Sequence, residues 1–300
     1  MSTIVLNLPA RKRLSAPGRS QSYLALSPSF LVLLVFFAMP MGMMIGMSFV
    51  DAETLAPTLA NYERFFTDGL SLAGFCRTAI MSLLVAICVT VLGYPVAHFL
   101  ARSKTRWRAV VFALALAPEL AGVVLRTYGW LIILEDRGFI NDALLYLGII
   151  ASPLPLSKNL FAVVVGLTHV VLPFGILSLT TSIQGIDANL EKAAQMLGAS
   201  RTSVIRHILL PLSIPGIVSS LLISFTMAAS AYATPALLGG AGFKVLATMI
   251  YEQVLFYINW PFASVMAIAL LLMMLGISFL GVKYESFRRG QRDAVKGATS

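Results

Sequence analysis

Charge is what this sequence has least of. Only 12% of its 300 residues are Asp, Glu, Lys or Arg, against 58% hydrophobic, and mean hydropathy is +0.86. A water-soluble fold of this length carries about twice that charged fraction, so a soluble domain is excluded. Disorder is excluded too, because apolar residues dominate and no long polar tract exists. Cysteine is nearly absent. Cys76 and Cys88 are the 2 present, and at about 1.5 Å per helical residue they stand roughly 18 Å apart, beyond disulfide reach. The 3 histidines include none in a His-Glu-x-x-His setting, and no Cys-x-x-Cys occurs, which removes the common zinc frameworks. The chain also lacks a Gly-x4-Gly-Lys-Ser/Thr phosphate cradle, so any ATP-driven work would draw on a partner's nucleotide site.

What is present is apolar sequence in runs long enough to cross a bilayer, about 20 residues each. Six can be read, at 26–49, 78–101, 109–134, 160–183, 214–238 and 261–282. None alternates as barrel strands do, and backbone polar groups in lipid must be satisfied within the segment, so all are expected as helices. The expected fold is an all-α integral membrane protein with a basic segment 1–25, a six-helix transmembrane domain 26–282 and a tail 283–300. The first run exceeds the core of a signal peptide and is expected as a retained anchor.

With the amino terminus placed inside, segments 1–25, 102–108, 184–213 and 283–300 hold 16 of the 22 Lys and Arg residues, while 8 of the 13 acids fall on the other side. The positive-inside rule then sets both termini in the cytoplasm. The tracts Arg11-Lys12-Arg13 and Arg102-Ser-Lys104-Thr-Arg106-Trp-Arg108 lie beside spans, where they read as topology determinants or lipid contacts, with no nucleic-acid partner expected.

The loop between the fourth and fifth spans is long and patterned. Asp187 can cap a first short helix with Leu190, Ala193, Ala194 and Leu197 on one face, and Gly198 can end it in a left-handed turn. Ser200 or Thr202 can cap a second helix, with Val204, Ile205, Ile208 and Leu209 as its buried stripe, before Pro211 and Pro215 bend the chain into span five. Such a rigid elbow along the membrane suits pushing against a soluble partner.

Lys192-Ala193-Ala194-x-x-x-Gly198, nine residues, then Ile208-x-Leu210-Pro211 resembles the EAA loop in permease subunits of binding-protein-dependent ABC importers. One position departs: Lys192 stands where the motif has glutamate, with Glu191 one residue earlier. Arg126-Thr-Tyr128-Gly-Trp130, Gly138-Phe-Ile-Asn141 and Ala233-Thr-Pro-Ala-Leu-Leu-Gly-Gly240 are similar to the spermidine/putrescine branch of that family. The resemblance implies a type I importer permease (MetI-like) architecture and a transport subunit that is not itself an enzyme. It implies no cofactor on this chain, ATP and Mg being held by a partner ATPase dimer. It further implies a periplasmic solute-binding protein, a second and different homologous permease, and a place in the bacterial inner membrane. Residues 187–211, with Glu191, Lys192, Ala193, Ala194, Gly198, Ile208, Leu210 and Pro211, would form the loop that docks on the ATPase.

Ionisable groups inside spans are costly and default to functional candidates. Four pathway candidates follow: Glu119 beside Pro118, Arg126 near the far end of the same span, His169 close to Pro173, and Tyr232 ahead of Pro235 and Gly239-Gly240. On a straight helix Glu119 is expected about 15 Å deep, near the bilayer midplane. A buried carboxylate suits a cationic solute such as a polyamine. An opine, an amino-acid derivative or a sugar-like compound is the alternative. A secondary transporter or channel accounts for six spans but leaves the 187–211 loop without a purpose. A membrane-embedded enzyme needs convergent catalytic groups, and Glu119 with His169 makes no recognisable motif.

Overall fold

The computed structural model describes residue 28 and residues 31–298, with side chains to residue 286; the basic segment 1–25 lies outside the described residues. Residues 1–47 and 48–300 form two separate units. The first holds helix α1 (Leu31–Ser48) up to its last residue, Ser48, which belongs to the second; its apolar side chains are mostly exposed, as suits a helix solvated by lipid.

The second unit runs α2 (Ala60–Thr67), α3 (Gly69–Arg102), α4 (Trp107–Leu116), α5 (Val123–Leu134), α6 (Phe139–Tyr146) and α7 (Leu160–Gln184). It continues through α8 (Ala188–Met196), α9 (Arg201–Leu212), α10 (Ile214–Ala229), α11 (Ala233–Leu238), α12 (Leu246–Leu255) and α13 (Trp260–Ala298). Among the described residues the extended pairing is a lone bridge between Val50 and Pro57. Among the described residues four helices are long and apolar enough to cross a membrane, or up to 6 if two bent pairs each count as a span.

The core is built where α3, α7 and α10 meet. Met81, Val85 and Val89 of α3 pack with Val163, Leu167 and Val171 of α7, all buried. Lipid supplies no hydrophobic drive between helices, so association rests on close packing and interhelical hydrogen bonds. Both occur here. Gly175 lies so near Val89 and Ser220 that a Cβ would collide with the valine, while Thr90 and Ser220 share a hydroxyl bond of 3.1 Å and Tyr94 and Ser213 one of 3.0 Å. A second cluster of Phe65, Phe225, Phe262 and Met266 joins α2, α10 and α13. The segment ahead of α12 is tied to α3 by Arg77, which donates to the Gly242 carbonyl at 3.1 Å, and by the Leu246 amide, which donates to the Thr78 hydroxyl at 2.9 Å.

The structure redraws several spans. The second span, α3, starts at Gly69, capped by Asp68, well before position 78. The sixth continues through 283 to Ala298, so its helical backbone does not stop at the expected tail. The fifth ends at Ala229, and α11 is separate from it. Span three is broken: Trp107–Leu120 and Val123–Tyr146 meet at 98°. The cause is local. Pro118 has no amide to continue the ladder, a 3-10 turn covers Ala117–Leu120, and Ala121 and Gly122 are extended. A gentler bend of 67° separates α9 from α10.

Candidate functional site

Among the described residues, polar side chains gather at several places, three of which hold the candidates named above. The first is the elbow at the Arg102 end of α3. Asp187 caps α8 by accepting the Asn189 amide at 2.9 Å, and Ser200, not Thr202, caps α9 by accepting the Ser203 amide at 3.2 Å. Gly198 between them has φ +87°, the left-handed conformation that glycine adopts without Cβ strain. Val204 and Leu209 bury the second helix, Ile205 and Ile208 are half-buried, and a widened π turn spans Ile205–Leu209. Met196 and Leu197 are 89% and 90% exposed at the elbow's tip.

The motif residues divide across this elbow. Lys192, Ala193 and Gly198 are exposed, Leu210 is largely so, and Ala194, Ile208 and Pro211 are half-buried. Glu191 turns the other way, forming an ion pair with Arg102 at 2.5 Å, without the alignment of a hydrogen bond. The Arg102 Nη2 also donates to the Ile186 carbonyl at 2.9 Å.

The second place is the break in span three. Arg126 Nη1, on α5, donates to Glu119 Oε1 in the 3-10 turn at 2.8 Å. The arginine side chain is 7% exposed and the glutamate 31%. Trp130, one turn beyond Arg126, donates its indole N–H to His169 Nδ1 on α7 at 3.1 Å, with the rings edge to face. That bond links His169 to the helix that carries Arg126. Three of the four pathway candidates thus gather at one break. The straight-helix depth assigned to Glu119 does not hold, because the chain turns by 98° just after it.

Tyr232 is not among them. It stacks on Tyr251 of α12, ring centroids 4.4 Å apart, in a cavity of about 420 Å³ that Glu252, Lys244 and Phe256 also line. Lys244 Nζ donates to Glu252 Oε2 at 2.6 Å. That pair also lines a second cavity, of about 540 Å³, which contains Arg64, Asp68 and Tyr257. Tyr251, Glu252 and Lys244 were missed by sequence reasoning, which counts Lys244 and Glu252 only as loop charges. The available signal was a Tyr-Glu pair close to the aromatic Phe256-Tyr257, in a loop otherwise poor in charge. Among the described residues no cluster of three His, Cys, Asp or Glu side chains converges as a metal site would.

The fold is that of ABC importer permeases. The chain superposes with a TM-score of 0.72 on a chain of a bacterial ABC transporter involved in import of the acidic polysaccharide alginate, covering 88% of this chain and 96% of that one at 19% identity. With the inward-facing MetNI methionine ABC transporter the TM-score is 0.55, over 71% of this chain and 93% of that one, at 20% identity. No family model matches the chain. The spermidine/putrescine transport system permease protein PotB of Escherichia coli K12 is 34% identical over 250 residues, 82% of this chain and 90% of that protein. The protein of the same name from Haemophilus influenzae is 28% identical over 253 residues, 82% of this chain and 88% of its own length. The chain belongs to the PotB family of transport permeases and is a multi-pass membrane protein.

Proposed function

We propose that this chain is the permease subunit of an ATP-driven importer for polyamines in the bacterial inner membrane, with both termini in the cytoplasm. It works with an ATPase dimer that holds ATP and Mg, a second homologous permease, and a periplasmic binding protein that delivers the solute. The observation that carries this reading is the 34% identity to spermidine/putrescine permeases across 82% of the chain. The site chemistry agrees with it. A polyamine is a flexible cation, and cations bind aromatic faces and carboxylates. The cavity at Tyr232 and Tyr251 supplies both, with Glu252 as the carboxylate.

In this mechanism the solute enters at the Tyr232–Tyr251 end, where an ammonium competes with Lys244 for Glu252. Glu119, paired with Arg126, is a second carboxylate that this reading assigns to the route. At the opposite end of the bundle the elbow 187–211 seats on the ATPase. Closure on ATP moves the elbow and rocks the permease halves, and hydrolysis resets them. The chain's own residues bind, orient and exclude water, and they make or break no covalent bond.

The test is ATPase activity of the reconstituted complex across spermidine, putrescine and neutral sugars, with Glu252→Gln and Gly198→Pro alongside. Polyamine stimulation is expected, abolished by Gly198→Pro and shifted to higher KM by Glu252→Gln. Stimulation by a neutral sugar alone would overturn the polyamine reading while leaving the permease in place.

A further inference from the structure

Glu191 and Lys192 are neighbours on α8 yet face opposite ways. Glu191 keeps 15% of its side-chain surface and Arg102 keeps 18%, and the pair meets at 2.5 Å. The same guanidinium donates to the Ile186 carbonyl at 2.9 Å, so one residue at the end of α3 holds both the approach to α8 and its first turn. A carboxylate neutralised in this way offers little charge to a partner. Lys192 is exposed, one turn before the exposed Met196, with Leu197 beside it. The other exposed charges of the elbow are the cations Arg201 and Arg206 and the single acid Asp187, whose Oδ1 is engaged as a helix cap. Positive-inside bias explains cations on this side of the membrane in general. It does not explain why Glu191, the one acid of α8, is turned away.

We propose that Arg102 is a positioning residue that draws Glu191 inward, so that this chain presents Lys192 to its ATPase, and that the apolar groove receiving Met196 and Leu197 bears a carboxylate opposite Lys192. Two exposed apolar side chains with a cation beside them are complementary to such a groove. The inference rests on the ATPase docking proposed above and adds the sign of the charge at that contact.

The experiment titrates the detergent-purified permease pair with its ATPase subunit at low and high salt. Lys192 is exposed, so Lys192→Ala and Lys192→Glu leave the fold intact. Lys192→Glu is expected to weaken association about tenfold at low salt, Lys192→Ala less, with both gaps closing as salt screens the contact. Arg102→Gln releases Glu191 and weakens association in the same salt-dependent way, and Arg102→Gln combined with Glu191→Gln restores it. A merely structural arginine would show no such rescue. Lys192→Glu binding as tightly as the parent overturns the acidic groove, and a double variant no better than Arg102→Gln overturns the positioning role. In either case loss of association in Gly198→Pro keeps the docking reading alive. Association untouched by Gly198→Pro removes docking itself, and the proposal with it.

Discussion

The indole N–H of Trp130 donates to Nδ1 of His169 at 3.1 Å, and since an indole nitrogen only donates, His169 is held in the tautomer protonated on Nε2. The bond joins α5 to α7 just past the break in span three. Trp130→Phe keeps the ring and removes the donor. It is expected to cost about 0.5–1.5 kcal/mol, read as a lower Tm in detergent. An unchanged Tm would show that the bond contributes nothing to the folded state.

Glu119 and Arg126 are expected to couple. Arg126→Gln leaves a half-buried carboxylate without its partner. The cost is about 1–3 kcal/mol, less than for a fully buried pair because Glu119 is 31% exposed. Adding Glu119→Gln should recover part of the loss, so the four stabilities of a double-mutant cycle will not add. Simple additivity would mean that the two charges act independently.

Acid should weaken the cap of α3. Asp68 accepts the Ser71 hydroxyl at 2.6 Å and the Leu70 and Ser71 amides, and chiefly that hydroxyl bond holds its carboxyl below the usual range. A depressed carboxyl contributes stability above its unfolded-state value and loses it as pH falls through its folded value. The stability gap between the parent and Asp68→Ala is therefore about 1 kcal/mol near neutral pH and narrows on acidification below the ordinary carboxylate range. Melting curves across pH measure it, and a gap that widens in acid would contradict the assignment.

At position 198 the backbone sets a ranking. With φ +87°, alanine costs about 1–2 kcal/mol of local strain, asparagine less, and proline cannot adopt this φ at all. Solute-stimulated ATPase activity should fall in the order Gly, Asn, Ala, Pro. Alanine outperforming asparagine would show that the turn geometry does not govern coupling.

The elbow was legible because its signals are local: Asp187, Gly198 and Ser200 act within a few residues of their own backbone. The fourth span was legible because a uniform apolar run from Leu160 to Gln184 is one helix. The break in span three was not. Hydropathy is the same on both sides of it, so Pro118 alone hinted at a bend. Seven positions along a straight helix rise about 10 Å, and it is the 98° turn that brings Arg126 to within 2.8 Å of Glu119. The inward turn of Glu191 was hidden for a similar reason. Its partner Arg102 is far away in sequence and reads there as one member of a basic tract. Tyr251 and Glu252 became candidates only through the cavity they share with Tyr232.

Helix α3 is 34 residues long, about 50 Å of continuous rise. Near its start Arg77 and Thr78 hold the segment that carries Lys244, and at its last residue Arg102 holds the elbow. One unbroken helix therefore bonds to both regions. In the mechanism proposed above, α3 is the backbone route by which a displacement of the elbow reaches the aromatic cavity. Pro95, inside the helix, removes one backbone bond toward the elbow end. That leaves the backbone ladder of this route weakened at Pro95, between the two contacts.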